Sequence, residues 1–423
     1  MLKKPPFWIA VTLLLLSIRL ILDIDSHAVN LLYWDHWDFY TGRFEGHGLW
    51  SLFRWQHGPH RQGLGAWLIK LVDDSSDWNT RAQSFVAGFL FIASALLALL
   101  LKQRLVGKLS WVDCLIPLLF VKISVSDALY GTVNLAHGPL PVFLILLTGW
   151  ILTFPKGWKQ TTAVLVTVFL ATYTGFAFFL GLLLPGLFFY RLIQDRRSKA
   201  DLFGLIASLG ILVSFFYDYR NRPAAACFVF PDNPLRYLQF MASQTGIFFG
   251  VESIHPSLVT LGYFILAALL WIFWRSLRER EETLMVFLGF SLLFSLNCAV
   301  GRSCLGMHTS LTSRYVPYLI PVQFALYLYI LKFIKAPWRN RSVTAFALIL
   351  LLNEFLITPL NHRSDTENFQ VRQKWAECYR ATENIEACDK QTGIQIYPNP
   401  AATQLKKKLD YLKEHHLNLF RKS

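Results

Sequence analysis

Residues 82–101 read AQSFVAGFLFIASALLALLL, a stretch without a single charge. An α-helix rises about 1.5 Å per residue, so about 20 apolar residues cross a hydrocarbon core of about 30 Å. A run of this length and composition is a transmembrane helix. Working outward, the same reading applies at 6–22, 109–125, 139–154, 160–173, 175–190, 200–217, 256–274, 283–300, 315–333 and 342–358. The sequence therefore predicts eleven spans in an all-α polytopic membrane protein. The turn between the fifth and sixth spans rests on Tyr173, Thr174 and Gly175. The first span lacks a small-residue cleavage site and is followed by charged residues, so it reads as an uncleaved span rather than a signal peptide.

The chain has 423 residues, 54% of them hydrophobic and 16% charged, with a mean hydropathy of +0.38. Those values exclude a soluble globular protein. The net charge of +14 would suggest nucleic acid in a soluble chain, but here the basic residues alternate with the spans, which argues against nucleic-acid binding. Lys3, Lys4, Lys102, Arg104, Lys108, Lys156, Lys159, Arg191, Arg196, Arg197, Lys199, Arg275, Arg278, Arg280, Lys332, Lys335, Arg339 and Arg341 all fall on one face. Basic short loops mark the cytoplasmic side. The N-terminus is then cytoplasmic and the C-terminus periplasmic. Four segments share the outer face: 23–81, 218–255, 301–314 and the tail from Asn361. The expected division is a transmembrane domain over 1–360 and a small periplasmic tail over 361–423.

A polar, aromatic segment from Tyr33 to Arg61 interrupts this apolar pattern. It reads YWDHWDFY, TGRFEGHGLWSLFRW and QHGPHR. The 23–81 loop holds six of the 14 Trp residues, at 34, 37, 50, 55, 67 and 78. GLWSLFRW and LGAWLIKLV look like short amphipathic helices lying in the headgroup layer, where Trp is favoured. The plain alternative is that these Trp residues are membrane anchors and nothing more. The 218–255 loop, broken by Pro231 and Pro234, reads as an interfacial or re-entrant helix. The tail carries a helical pattern at 403–420. Cys378 and Cys388 lie close together in it, and a disulfide there would fit an oxidising compartment. Cys114 and Cys298 lie in spans, Cys227 and Cys304 near outer loops, and no zinc-type spacing appears.

Asp35 and Asp38 are the candidate general bases. Transfer of a sugar from a lipid phosphate needs a carboxylate to take the proton of the attacking hydroxyl and cations to offset charge on the leaving phosphate. Paired Asp residues can also hold a divalent cation through oxygen ligands. The structural alternative is that one of them caps the following helix or pairs with Arg43. His57, His60 and Arg61 form a second cluster that could bind phosphate, orient the base or hold a metal; the alternative is a solvated loop. In GRSCLGMHTSLTSRYV, Arg302, His308 and Arg314 converge near the end of a span. An Arg at membrane depth needs a cavity or partner, so donor phosphate recognition competes with snorkelling to the headgroups. Lys122 and Asp127 are weaker candidates of the same kind.

These residues resemble bacterial multi-span proteins of the GT-C glycosyltransferase type. A subgroup looks similar in carrying a D-x-W-D-like string, then H-x-x-H-R (here HGPHR at 57–61), then GR…G…SRY (Gly301, Arg302, Gly306, Ser313, Arg314 and Tyr315), then a tail like IYPNP…LDYLKEHHLNLF from Ile396 to Phe420. The resemblance spans the chain, and the order of the four motifs is more specific than any one. It implies a helical fold around a lateral lipid groove, a key acidic residue in the first outer loop, with Asp35 in the base position and Asp38 the alternative, and a polyprenyl-phosphate sugar as donor. HGPHR departs from such proteins in having Pro59 where they more often carry an acidic residue.

The expected function is a hexosyl- or pentosyltransferase of the bacterial inner membrane that moves a sugar from a polyprenyl-phosphate donor to a cell-envelope glycan or lipid on the periplasmic face. The alternatives are a flippase for lipid-linked sugars, or a non-catalytic subunit of a polysaccharide assembly complex. A transporter would show internal repeats and charges spread along its spans; the polar residues concentrate on one face instead. No P-loop or nucleotide-binding glycine motif supports a sugar-nucleotide donor or ATP coupling.

Overall fold

The computed structural model describes residues 4–122, 125–130, 134–220, 233–250 and 254–421. The helices in order are α1 (Pro5–His27), α2 (His36–Phe39), α3 (Thr41–Phe44), α4 (Leu49–Arg54), α5 (Gly63–Asp74), α6 (Thr80–Val106), α7 (Leu115–Phe120), α8 (Asp127–Tyr130), α9 (Asn134–His137) and α10 (Pro139–Leu152). They continue with α11 (Trp158–Thr172), α12 (Phe178–Gln194), α13 (Lys199–Phe216), α14 (Leu235–Gln244), α15 (Pro256–Arg278), α16 (Glu282–Arg302), α17 (Val316–Phe333), α18 (Trp338–Thr382), α19 (Ile385–Thr392) and α20 (Leu405–Glu414). Among the described residues the only strands are β1 (Gln56–His57) and β2 (His60–Arg61), paired as one hairpin. The chain is an all-α polytopic membrane protein.

Nine helical stretches among the described residues are long and apolar enough to cross a membrane. The other two expected spans are shorter. Residues 109–125 form a 3-10 turn at Trp111–Cys114, started by a Ser110–Asp113 capping box, and then α7. The helix stops at Val121, whose backbone leaves the helical region. The expected 160–173 span is α11, only 15 residues long. Of the two, α11 still connects opposite ends of the bundle. Thr153, on the turn before α11, accepts from Arg104 at the basic end of α6. Thr174, just after α11, accepts from the backbone of Leu64 in the first loop.

The basic loops gather at one end. Arg191 is fully buried there, donating to both oxygens of Glu282 and lying 3.4 Å from Asp201. Lys156 reaches the same Glu282 at 2.8 Å, and Lys332 reaches Glu281 at 2.6 Å. Breaking such a buried network by removing one partner costs about 3–5 kcal/mol.

The first loop, the 301–314 loop and the tail gather at the other end. The two amphipathic segments are α4 and α5. In α4, Leu52 and Phe53 are buried while Leu49 and Trp50 are exposed, as a one-sided helix requires. In α14, the 240–244 end is buried against α15, where Gly262 lets the backbones touch: a Cβ there would lie 2.1 Å from the Ala242 oxygen. Pro231 and Cys227 lie outside the described residues.

The largest departure from expectation is α18. It continues through Pro359 and past 361 for 45 residues, about 67 Å at about 1.5 Å per residue. The tail thus begins inside a helix rooted in the membrane. It folds back on itself through the Cys378–Cys388 disulfide. Trp375 donates to Asp389 at 2.7 Å. Leu405, Leu409 and Leu412, one face of α20, are fully buried.

Candidate functional site

The WDHWD string makes one tight turn. Trp34 adopts a left-handed backbone, with φ at 50°, and donates its N–H to the Ile396 carbonyl of the tail. Asp35 immediately precedes α2 and Asp38 lies within it. Neither has the structural role that the sequence left open. Asp35 makes no side-chain cap. Arg43 pairs instead with Asp73 and Asp74, at 2.7 and 2.8 Å. Gln83 donates to Asp73 and to the Tyr40 hydroxyl, fixing this loop on α6. Burial raises the Asp73 carboxyl to about 7, against the pull of Arg43.

The two candidate bases differ in their surroundings. Asp38 accepts from the Tyr397 hydroxyl at 2.6 Å and from the Thr403 hydroxyl at 3.4 Å, both in the tail. The Asp35 carbonyl accepts from the Phe39 N–H at 2.9 Å, but its partly exposed side chain makes no hydrogen bond or ion pair among the described residues. Beside Asp38 lies a cleft of about 310 Å³ lined by Thr41, Phe44, Glu45, Thr403, Lys408 and Tyr411. Lys408 is buried, donating to the Trp37 carbonyl, Thr41 and Thr403 at 2.6, 2.8 and 2.8 Å. Burial lowers its ammonium to about 8, although Asp38 pulls it up.

The hairpin pairs His57 with His60 across the Gly58–Pro59 turn, with Gly58 at φ +56°. His57 stacks nearly parallel to His137 at 6.1 Å between ring centres, and His60 meets His137 edge-on at 5.3 Å. His60 also lies against Phe176 at 3.9 Å. This assembly depends on glycines. Gly63 has φ +55°, and a Cβ on it would lie 2.3 Å from the Tyr173 oxygen; a Cβ on Gly65 would lie 2.4 Å from Ala136. The lack of side chains lets α5 dock on α9, which carries His137.

His36, His57, His60 and His137 thus share one neighbourhood, each within the electrostatic reach of another. Burial lowers His36 to about 3, with Arg372 adding to it, and lowers His60 to about 3, with His57 and Arg302 adding to it. Burial also lowers His57, while Asp35 and Asp38 oppose it. Burial therefore keeps His36 and His60 neutral at pH 7. His57 Nδ1 and His137 Nε2 are buried without hydrogen-bond partners among the described residues. The exposed guanidinium groups of Arg302 and Arg314 flank the buried Tyr315, and their charges reach His60 and His137 respectively.

Of the residues singled out in the sequence, Asp35, Asp38, His57, His60, Arg302, Arg314 and Tyr315 come together. Arg61 does not join them. Its guanidinium donates to the carbonyls of Phe215, Arg54 and Tyr217 at 2.8, 2.6 and 2.5 Å, so it ties the hairpin to the end of α13. His308 lies over Gly306 in its own loop. Asp127 accepts from the Ser313 hydroxyl, and Lys122 lies near Glu354 of α18. Asp35 and Asp38 are not in a metal-like cluster: among the described residues, the one group with three close ligand atoms is elsewhere. Sequence reading missed His137, Tyr397 and Lys408. The signal for His137 was the repeated His-Gly-Pro triplet, at 57–59 and again at 137–139. No model of a known protein family, no curated protein and no solved structure matches this chain.

Proposed function

We propose that the chain is a GT-C-type glycosyltransferase of the bacterial inner membrane, taking a hexose or pentose from a polyprenyl phosphate and passing it to a cell-envelope glycan or lipid on the periplasmic face. The observation that carries this reading is the free, partly exposed Asp35 carboxylate beside neutral imidazoles, with Arg302 and Arg314 on the same face. Asp35 removes the acceptor hydroxyl proton as that oxygen bonds to the anomeric carbon. The bond from the anomeric carbon to the phosphate oxygen breaks, and the polyprenyl phosphate leaves with the electron pair. Arg302 and Arg314 offset its charge; a guanidinium fork suits phosphate oxygens. Asp38, already engaged by Tyr397 and Thr403, positions the turn. The disulfides fit an oxidising face: Cys378 pairs with Cys388, and Cys304 is also disulfide-bonded.

The test is sugar transfer in proteoliposomes from a panel of polyprenyl-phosphate sugars, with wild type, Asp35→Asn and Asp38→Asn. Consumption of one donor by wild type and none by a folded Asp35→Asn supports the reading. Lipid-linked sugar that crosses the bilayer unconsumed, with neither substitution mattering, replaces it with a flippase.

A further inference from the structure

Away from the imidazole cluster, the end of α1 and the middle of α18 hold a second polar group that the proposed transfer does not use. Asp23 and His27 stand four residues apart on α1 and so share one face. His27 Nδ1 lies 3.2 Å from Asp23 Oδ1, and His362 Nδ1 of α18 lies 3.9 Å from the same oxygen. The two imidazole rings meet edge-on at 4.9 Å. One ligand atom from each residue lies within 4.8 Å of the other two. Tetrahedral zinc, with bonds of about 2.0–2.1 Å, holds its ligand atoms about 3.4 Å apart. The separations of 3.2 and 3.9 Å bracket that spacing.

Neighbouring groups hold these ligands in place. The Thr366 hydroxyl lies 2.7 Å from the His362 carbonyl oxygen and 3.2 Å from His27 Nε2. His27 Nδ1 lies 2.9 Å from the Asp23 carbonyl oxygen, so the lone pair that would take a metal faces the Asp23 group. Asp365 is buried and lies within electrostatic reach of Asp23, and its Oδ2 has no hydrogen-bond partner among the described residues. The second Asp23 oxygen accepts from the Tyr130 hydroxyl.

We propose that Asp23, His27 and His362 bind a first-row divalent cation, zinc by its fit to two imidazoles and one carboxylate, with water as the fourth ligand. Thr366 and Tyr130 orient two of the ligands, as outer partners do in metal sites. On binding, His27 Nδ1 exchanges its approach to the Asp23 carbonyl for a bond to the metal. The ion joins α1 to α18 below the tail that engages Asp38. This inference does not depend on the proposed transfer reaction.

The test uses the full-length chain in detergent micelles, stripped with a chelator and titrated with Zn²⁺ or with Co²⁺, whose visible absorption reports tetrahedral geometry. Wild type is expected to bind about one equivalent. His362→Ala removes a side chain that is 63% exposed, so it leaves the fold intact; affinity is expected to fall at least about tenfold. His27→Gln should do the same, and His362→Gln serves if the alanine variant aggregates. The proposal is overturned if stripped wild type takes up no metal. It is also overturned if both histidine variants keep wild-type affinity.

Discussion

At the residue scale, Asp35 and Asp38 are identical side chains one helical turn apart whose surroundings differ. Asp35→Asn should abolish transfer while leaving thermal stability within about 0.5 kcal/mol, since no hydrogen bond is lost. Asp38→Asn should leave measurable transfer but loosen the tail, and Tyr397→Phe should weaken the same contact by about 1 kcal/mol, read as a lower unfolding temperature. The buried histidines make a pH prediction. His36 and His60 take up protons below their usual 6.5 only when the loop unfolds, because burial holds both near 3 in the folded chain. At these two sites the unfolded state therefore binds more protons between those values, a contribution that lowers stability as pH drops from about 6.5 toward 3, while the raised Asp73 carboxyl contributes with the opposite sign as pH drops from about 7. Thermal unfolding of wild type and His60→Gln should therefore diverge across that window, the variant losing less stability at low pH; parallel profiles would remove the argument for a neutral His60. His57 and His60 were legible in the sequence because they sit together in a polar string. His137 was not, because it opens an apolar span some eighty residues away, and only folding brings the two His-Gly-Pro turns together.

At the element scale, the hairpin and α5 are placed by what their glycines lack. Gly65→Leu puts side-chain atoms where Ala136 already stands. Overpacking of this kind costs about 1–3 kcal/mol, and here it would also part His57 and His60 from His137. The expected outcome is a folded, less stable protein whose transfer falls more than its unfolding temperature would explain. Equal transfer per folded molecule would show that the imidazole cluster is not needed. The amphipathic helices α4 and α5 were legible because their apolar faces follow the helical period. The length of α18 was not. Pro359 and the polar residues after it read as an ending, since a proline removes one helical hydrogen bond and crowds the preceding turn. A helix can carry one proline where surrounding structure holds it. Here the far half of α18 is held by the disulfide and by the packing of Trp375, Tyr379 and α20. Nothing local in the sequence signals support that comes from residues 388–412.

At the scale of the whole molecule, charge and cysteine chemistry separate the two ends. The basic loops cluster around Glu281 and Glu282 at one end, and the described disulfide lies at the other with the candidate site. That separation was legible, because it needs only the alternation of basic loops with apolar spans. The shortness of α11 did not change it, since that helix still joins opposite ends. The orientation it predicts is testable. In a Cys114→Ser background, Arg196→Cys places an exposed thiol at the basic end and Lys390→Cys places one in the tail. Basic loops are retained in the cytoplasm, so a membrane-impermeant thiol reagent added to intact spheroplasts should label Lys390→Cys at once and Arg196→Cys only after permeabilisation. The opposite pattern would put Asp35 in the cytoplasm, facing a reducing compartment where the Cys378–Cys388 bridge would not persist. A donor presented on the outer leaflet could then not reach the carboxylate, and the transferase reading would fail on geometry before any kinetics were measured.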